Sequence, residues 1–182
     1  MVGSENWESE LTRMVKARML PANAVQVEAD KQERVALAER FGIVSIEALT
    51  AKIELDQCKK GVRAEGKLSA QIIQECAVSG ESFAVTIEED IILRFIEEGT
   101  AELAQSEDED VDFELTADDC DEIEYSGDAF DLGEAVAQTL GLAIDPYAEG
   151  PNANAVRKDA GIVEEGQQDG PLADMLRGLK KD

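Results

Sequence analysis

Between Val62 and Ile96 apolar and polar residues alternate so regularly that the stretch demands a sheet with one buried face. Val62, Ala64, Leu68, Ala70 and Ile72 share one parity, and Arg63, Glu65, Lys67, Ser69 and Gln71 share the other. Gly66 interrupts the apolar row, which predicts a bulge or a close backbone approach there. The pattern stops over Val78–Ser82, where small and polar residues favour a turn. It resumes at Phe83, Val85 and Ile87 and, past the acidic triplet Glu88–Asp90, continues through Ile91, Leu93 and Phe95. The stretch predicts two long antiparallel strands, with room for a third, as the spine of an antiparallel sheet.

The remaining elements are read around that spine. Leu11–Met19 is expected to form a first strand ended by Pro21, and Val25 and Val27 mark a second. Asp30 with Glu33 forms a D-x-x-E helix start, Val35, Leu37, Ala38 and Phe41 supply an apolar stripe, and Gly42 stands where a left-handed cap belongs. A helix over about 30–41 follows. Ile43–Leu49 reads as an apolar connector, Ile53 and Leu55 begin another strand, and Asp56–Gly61 makes a turn with Lys59 and Lys60 at its solvated tip. Glu97–Asp110 is acidic and poor in large apolar residues, which predicts a mobile loop. Short strands are expected at Val111–Leu115 and around Ile123 and Tyr125. A second D-x-x-E, Asp131 to Glu134, opens a helix over about 131–144 with Leu132, Val136, Leu140 and Ile144 at spacing four, stopped by Pro146.

Residues 147–170 are rich in Gly, Ala, Asn and charge and are expected to be disordered. Pro171 then opens a short helix over about 171–180, with Leu172, Met175, Leu176 and Leu179 on one side; it is too short to stand alone in water. There is no internal repeat. The predicted fold class is α+β: an antiparallel meander with two main packing helices and a flexible acidic loop. The domain reading is a flexible N-terminus over 1–10, apart from a docked Trp7, then one domain over 11–146 and a mostly disordered tail over 147–182.

Composition narrows the function. The chain has 182 residues, 43% apolar and only 4% aromatic, so a core of Leu, Ile, Val and Ala is expected. No apolar run reaches membrane-spanning length and the N-terminus lacks a signal-peptide pattern, so a cytoplasmic address and no membrane are expected. There is no His, which removes the commonest general base and metal ligand at neutral pH. Cys58, Cys76 and Cys120 are an odd set without C-x-x-C spacing, which argues against a disulfide framework and against a zinc site. Starting an EF-hand loop at Asp108 puts Phe113 where Gly is required and Asp119 where Glu is required, so no calcium site is expected either. No nucleophile elbow, P-loop or dinucleotide fingerprint is present. The reading is no enzyme, no cofactor and no metal.

The net charge of −24 is segregated. Of the 41 Asp and Glu, 19 lie between Phe95 and Val156, where there is no Lys or Arg; the rest of the chain holds 22 against 17 Lys and Arg. Such a segment repels a phosphate backbone and attracts cationic proteins over a Debye length. The belt over about 97–124, with Glu107, Asp108, Glu109, Asp110, Asp112, Asp118 and Asp119 at its centre, is therefore expected to bind a basic protein.

Five stretches in order carry a family resemblance: Leu11–Val15 with Leu20–Pro21; Leu37–Gly42; Gly66–Ala70 leading to Gln74–Val78; Asp131–Glu134 running to Ala143–Tyr147; and Gly170–Ala173 with Leu179–Lys180. Together they make the chain resemble the YceD-like family of bacterial and plastid proteins linked to accumulation of large-subunit ribosomal RNA. The resemblance implies a non-catalytic role in ribosome assembly and singles out Arg13, Gln74 and Cys76. Other branches carry a cysteine cluster after the segment corresponding to Pro146; Tyr147–Gly161 has none, so a metal knuckle is not carried over. Gly80–Glu81 stands where the family usually has a Thr-Leu-Glu-Pro-like turn, so a different turn geometry is expected.

Cys76 itself reads first as a small buried residue, because no Lys or Arg lies beside it in sequence. Joining the belt to the resemblance gives the functional reading: a factor supporting large-subunit biogenesis by holding a basic ribosomal protein or assembly factor, with rRNA contact indirect or weak. Two alternatives remain. One is direct rRNA binding, which requires Arg13, Lys16, Arg18, Lys59, Lys60, Arg63 and Lys67 to gather in one patch. The other is an acidic nucleic-acid mimic.

Overall fold

The computed structural model describes residues 9–99 and 121–162. The chain divides into two compact units, one built from the residues up to Gln74 and from Ala84 to Asp145, the other from Glu75–Phe83 and from Pro146 onward.

The first unit is α+β. β1 (Met14–Lys16) and β7 (Ala129–Asp131) form a two-stranded antiparallel sheet, and β2 (Val25–Glu28), β3 (Ser45–Cys58), β4 (Gly61–Glu75), β5 (Ser82–Glu97) and β6 (Asp121–Tyr125) form a five-stranded sheet in that order. β2–β3 and β3–β4 pair antiparallel, as the alternation demands. β6 instead runs parallel to β5, with Leu93 opposite Asp121 and Glu97 opposite Tyr125. Parallel neighbours need a long crossover, and the chain from Glu98 to Cys120 is long enough to supply one. The meander is thus antiparallel until its last edge.

One stretch read from sequence as a connector is strand. β3 begins at Ser45, not near Ile53. A register shift between Ile46 and Ala48 places Ile46 and Leu49, three apart, both toward the core. That bulge breaks the parity on which a period-two reading depends. At Gly66 the register is regular, and the glycine is explained by the close approach. A Cβ there would lie 2.2 Å from the Lys52 carbonyl oxygen and 2.8 Å from Ile53 Cα. The first strand is also shorter than the expected 11–19, because the chain turns after Lys16, where the Met19 N–H donates to the Lys16 carbonyl at 3.1 Å.

The helices form where their caps predict. α1 (Lys31–Phe41) starts at Asp30, whose side chain accepts from the Gln32 and Glu33 N–H, while Glu33 reaches back to the Asp30 N–H in a reciprocal capping box. It ends at Gly42, whose φ of 67° is the left-handed conformation a side chain resists. Its buried face is narrow, limited to Leu37 and Ala38, and Val35 is exposed. α2 (Leu132–Ala143) buries more than its spacing-four stripe: Gly133, Ala135 and Ala137 are buried beside Leu132, Val136 and Leu140. Small residues there let the helix approach closely. One cluster joins both helices to the same sheet face, through Leu49, Ile53, Leu68, Ile72, Ile91 and Phe95. Phe95 stacks on Phe130 with centroids 4.1 Å apart. Each such side chain contributes about 1.5–3 kcal/mol on burial.

In the second unit, Cys76 and Glu81 flank a tight turn. The Cys76 N–H donates to the Glu81 carbonyl and the Gly80 N–H to the Cys76 carbonyl, both at 2.9 Å. Where disorder was expected over 147–170, the chain forms α3 (Ala153–Asp159). Only Ala153 of that helix is buried, so no apolar period marked it in sequence. Polar anchors hold it: Asn152 donates to Glu81 at 2.8 Å, and Arg157 pairs with Glu149. Trp7, the expected strand at 111–115 and the expected helix at about 171–180 lie outside the described residues.

Candidate functional site

Arg13 is the first residue the motifs singled out, and it ties three elements together. Its backbone N–H donates to Asp131 Oδ1 at 2.8 Å and its carbonyl accepts from the Leu132 N–H at 3.0 Å, so it aligns the start of α2. Its guanidinium grips both oxygens of Glu33 at 2.7 and 2.9 Å and donates to the Glu28 carbonyl at 2.8 Å, aligning the start of α1. Planar bidentate pairing of this kind is specific to Arg. The guanidinium in turn holds the Glu33 carboxyl below its ordinary range.

A second cluster stands beside it. The two D-x-x-E sequences are used differently: Glu33 closes its capping box, whereas Glu134 turns away from the Asp131 backbone. Glu134 accepts from Arg40 Nη2 at 2.7 Å and Nη1 at 2.9 Å, from Ser9 Oγ at 2.8 Å and from Gln138 at 3.1 Å. Arg40 Nη1 also donates to Glu10 at 2.8 Å. Arg40 chiefly, with Ser9 and Gln138 adding, pulls the Glu134 pKa down to about 2 against the opposing effect of burial. Neither ion pair is visible in sequence, because the partners are 20 and 94 positions apart.

Gln74, 5% exposed, is the one buried polar side chain among the described residues, and it donates to the Asp145 carbonyl at 3.4 Å. It fastens the end of β4 to the chain leaving α2. Cys76 is 3% exposed. Its sulfur accepts from the Val78 and Ser79 N–H, each at 3.4 Å. The Ser79 side chain is the largest influence on its pKa, followed by the Ser79 and Gly150 N–H. Together they lower it to about 7 against the desolvation that opposes them. The Ser79 side chain together with backbone amides thus does what a neighbouring Lys or Arg would do, and the amides leave no mark in a sequence.

The segment from residue 64 to residue 175 matches the model of the family described as Large ribosomal RNA subunit accumulation protein YceD. That is more than half of the 182 residues. The chain belongs to the YceD family. No curated protein and no solved structure matches it. The matched segment runs through most of β4 and all of β5, β6, β7, α2 and α3, and includes Gln74 and Cys76. Arg13 lies before it. The family description names an accumulation role and no reaction.

In this YceD-family chain the acidic residues expected to bind a partner, Glu107, Asp108, Glu109, Asp110, Asp112, Asp118 and Asp119, lie outside the described residues. The described flanks of the belt are exposed carboxylates: Asp121, Glu122 and Glu124 on β6, opposite Leu93, Arg94 and Ile96 of β5. Glu88, Glu89 and Asp90 stand exposed further back on β5. The cations nearest them are engaged, Arg94 with Glu122 at 3.0 Å and Lys67 with Asp90 at 2.6 Å. The seven basic residues expected to gather for direct rRNA contact come from three stretches of the chain. Arg13 and Lys16 belong to the start of the chain with Arg18, Lys59 and Lys60 to the β3–β4 turn, and Arg63 and Lys67 to β4. Arg13, Arg63 and Lys67 each hold a carboxylate of their own. Cys58 is at the β3–β4 turn, with its sulfur 3.2 Å from the Gly61 carbonyl. Among the described residues no helix is long and apolar enough to cross a membrane.

Proposed function

We propose that this YceD-family chain supports accumulation of large-subunit ribosomal RNA in the cytoplasm as a non-catalytic factor. It does so by holding a basic partner, a large-subunit ribosomal protein or an assembly factor, against its acidic side. The observation that carries this reading is the segregation of charge: 19 Asp and Glu and no Lys or Arg between Phe95 and Val156. A basic protein is drawn to such a surface and oriented by it before contact. The exposed carboxylates of β5 and β6 support the reading, as does the engagement of Lys67 and Arg94 with acids of the chain itself. Contact with rRNA is then indirect, through the partner, because counterion release needs cations this side lacks.

Two measurements test it. Depletion of the protein, followed by sucrose-gradient separation of ribosomal particles, is expected to lower free and assembled large subunits relative to small ones. Tagged protein is expected to capture basic large-subunit components at low salt and release them at high salt. Unchanged large-subunit levels, or capture insensitive to salt, would refute the reading.

A further inference from the structure

The buried cluster that joins the helices to the sheet lies wholly in the first unit. Among the described residues of the second unit only Cys76 and Ala153 are buried, each 3% exposed, and neither belongs to that cluster. Two separate pieces of chain make this unit, the turn between β4 and β5 over 75–83 and the segment from Pro146 into α3. Hydrogen bonds join them. The Ala77 N–H donates to the Ala148 carbonyl at 3.1 Å, and Asn152 donates to the Glu81 carboxylate at 2.8 Å. The Cys76 sulfur is the third point of closure, because it takes N–H groups from both pieces, Val78 and Ser79 on one and Gly150 on the other. Gly150 lies directly against the turn: a Cβ on it would stand 3.2 Å from the Phe83 ring and 3.4 Å from Cys76 Cβ. The other described side chains of this unit are at least partly exposed, so parting the two pieces uncovers little apolar surface and leaves the core intact.

We propose that the second unit is a latch held by a thiol: its two pieces part in a local opening while the first unit stays folded, and the Cys76 sulfur must be free for them to close again. A group attached to that sulfur would have to fit where Gly150 and Phe83 already crowd it, and would displace the N–H groups the sulfur accepts. Modified Cys76 therefore holds the latch open and releases the chain after Pro146 from the turn. A cysteine buried in this way reacts only through the opening. The inference is independent of which partner the acidic side binds.

The test uses the full chain in a Cys58→Ser, Cys120→Ser background, with iodoacetamide as the probe and intact mass as the readout. Carbamidomethylation of Cys76 is expected to be at least about a hundredfold slower than that of an unstructured cysteine peptide. Its rate, followed below the unfolding midpoint, is expected to rise with urea at less than about half the slope of global unfolding. Asn152→Ala removes an exposed side-chain bond between the two pieces; it is expected to speed the reaction about two- to fivefold with the global unfolding midpoint unchanged. Hydrogen exchange on the carbamidomethylated protein is expected to show the amides of Cys76, Ala77 and Gly80 unprotected while those of β3 and β4 up to Gln74 keep their protection. A slope equal to that of global unfolding would overturn the inference, as would a rate equal to that of the free peptide. So would an Asn152→Ala rate unchanged from the background, or an adduct that leaves the turn amides protected.

Discussion

Replacing Glu134 with Gln removes the charge on which Arg40, Ser9 and Gln138 converge. Depression of its pKa from 4.5 to about 2 sets an upper bound near 3 kcal/mol on what the folded state gains from that charge. The side chains of Glu134 and Arg40 are 25% and 33% exposed, so solvent screening reduces the expected loss to about 1–2 kcal/mol. For a chain of this size that is a fall of about 3–6 °C in unfolding temperature. The pH dependence follows from the direction of the shift. The folded-state pKa lies below the unfolded one, so the contribution is complete above about pH 4.5 and is lost as pH falls toward 2. Thermal unfolding of both proteins at pH 7, 5, 4 and 3 is the assay. The expected result is a constant gap from pH 7 to 5 that narrows by pH 3, because acid then does to Glu134 what the substitution did. A gap of the same size at pH 3 would show that shape rather than charge is responsible, and no gap at pH 7 would refute the argument.

Phe130→Ala removes a buried ring stacked on Phe95 and is expected to destabilise the first unit by about 3–5 kcal/mol in urea unfolding. Gly66→Ala drives a methyl into the Lys52 carbonyl; it is expected to cost about 2 kcal/mol or more and to lower protection of the β3–β4 amides from hydrogen exchange. Gly42→Ala has open space but the wrong backbone conformation, so a smaller loss of about 1 kcal/mol is expected by the same urea assay. In a Cys58→Ser, Cys120→Ser background, thiolate absorbance of Cys76 is expected to titrate near pH 7, and Ser79→Ala is expected to move the midpoint upward.

Long-period features of the fold were legible in the sequence because each is set locally. Alternation from Val62 to Ile96 marked β4 and β5, and the Asp30, Gly42 and Asp131 signals marked the helix ends within about one residue. Features that depend on partners far along the chain were not legible. The Ile46–Ala48 bulge hid the start of β3. The parallel direction of β6 is a property of its crossover, and nothing in Ile123 or Tyr125 encodes it. α3 has one buried residue and so no period to detect. At the candidate site, a resemblance drew attention to Arg13, Gln74 and Cys76, but their contacts with Glu33, with the Asp145 carbonyl and with the Ser79 amide became visible only in the fold.

Arg13 and Arg40 show how a chain with so large a negative excess secures its helix starts. Each is bound to carboxylates close to a helix start, Glu33 for one and Glu134 with Glu10 for the other. These pairs are hydrogen-bonded at short range and partly shielded, so salt weakens them little. The carboxylates of β5 and β6 are exposed, and the Lys67–Asp90 pair among them is open to solvent, with side chains 82% and 64% exposed. At physiological ionic strength their field falls off over about 8 Å, which suffices to guide a partner already near but adds little to stability. On the proposed reading, moderate salt is expected to release a cationic partner well before it loosens the helix starts.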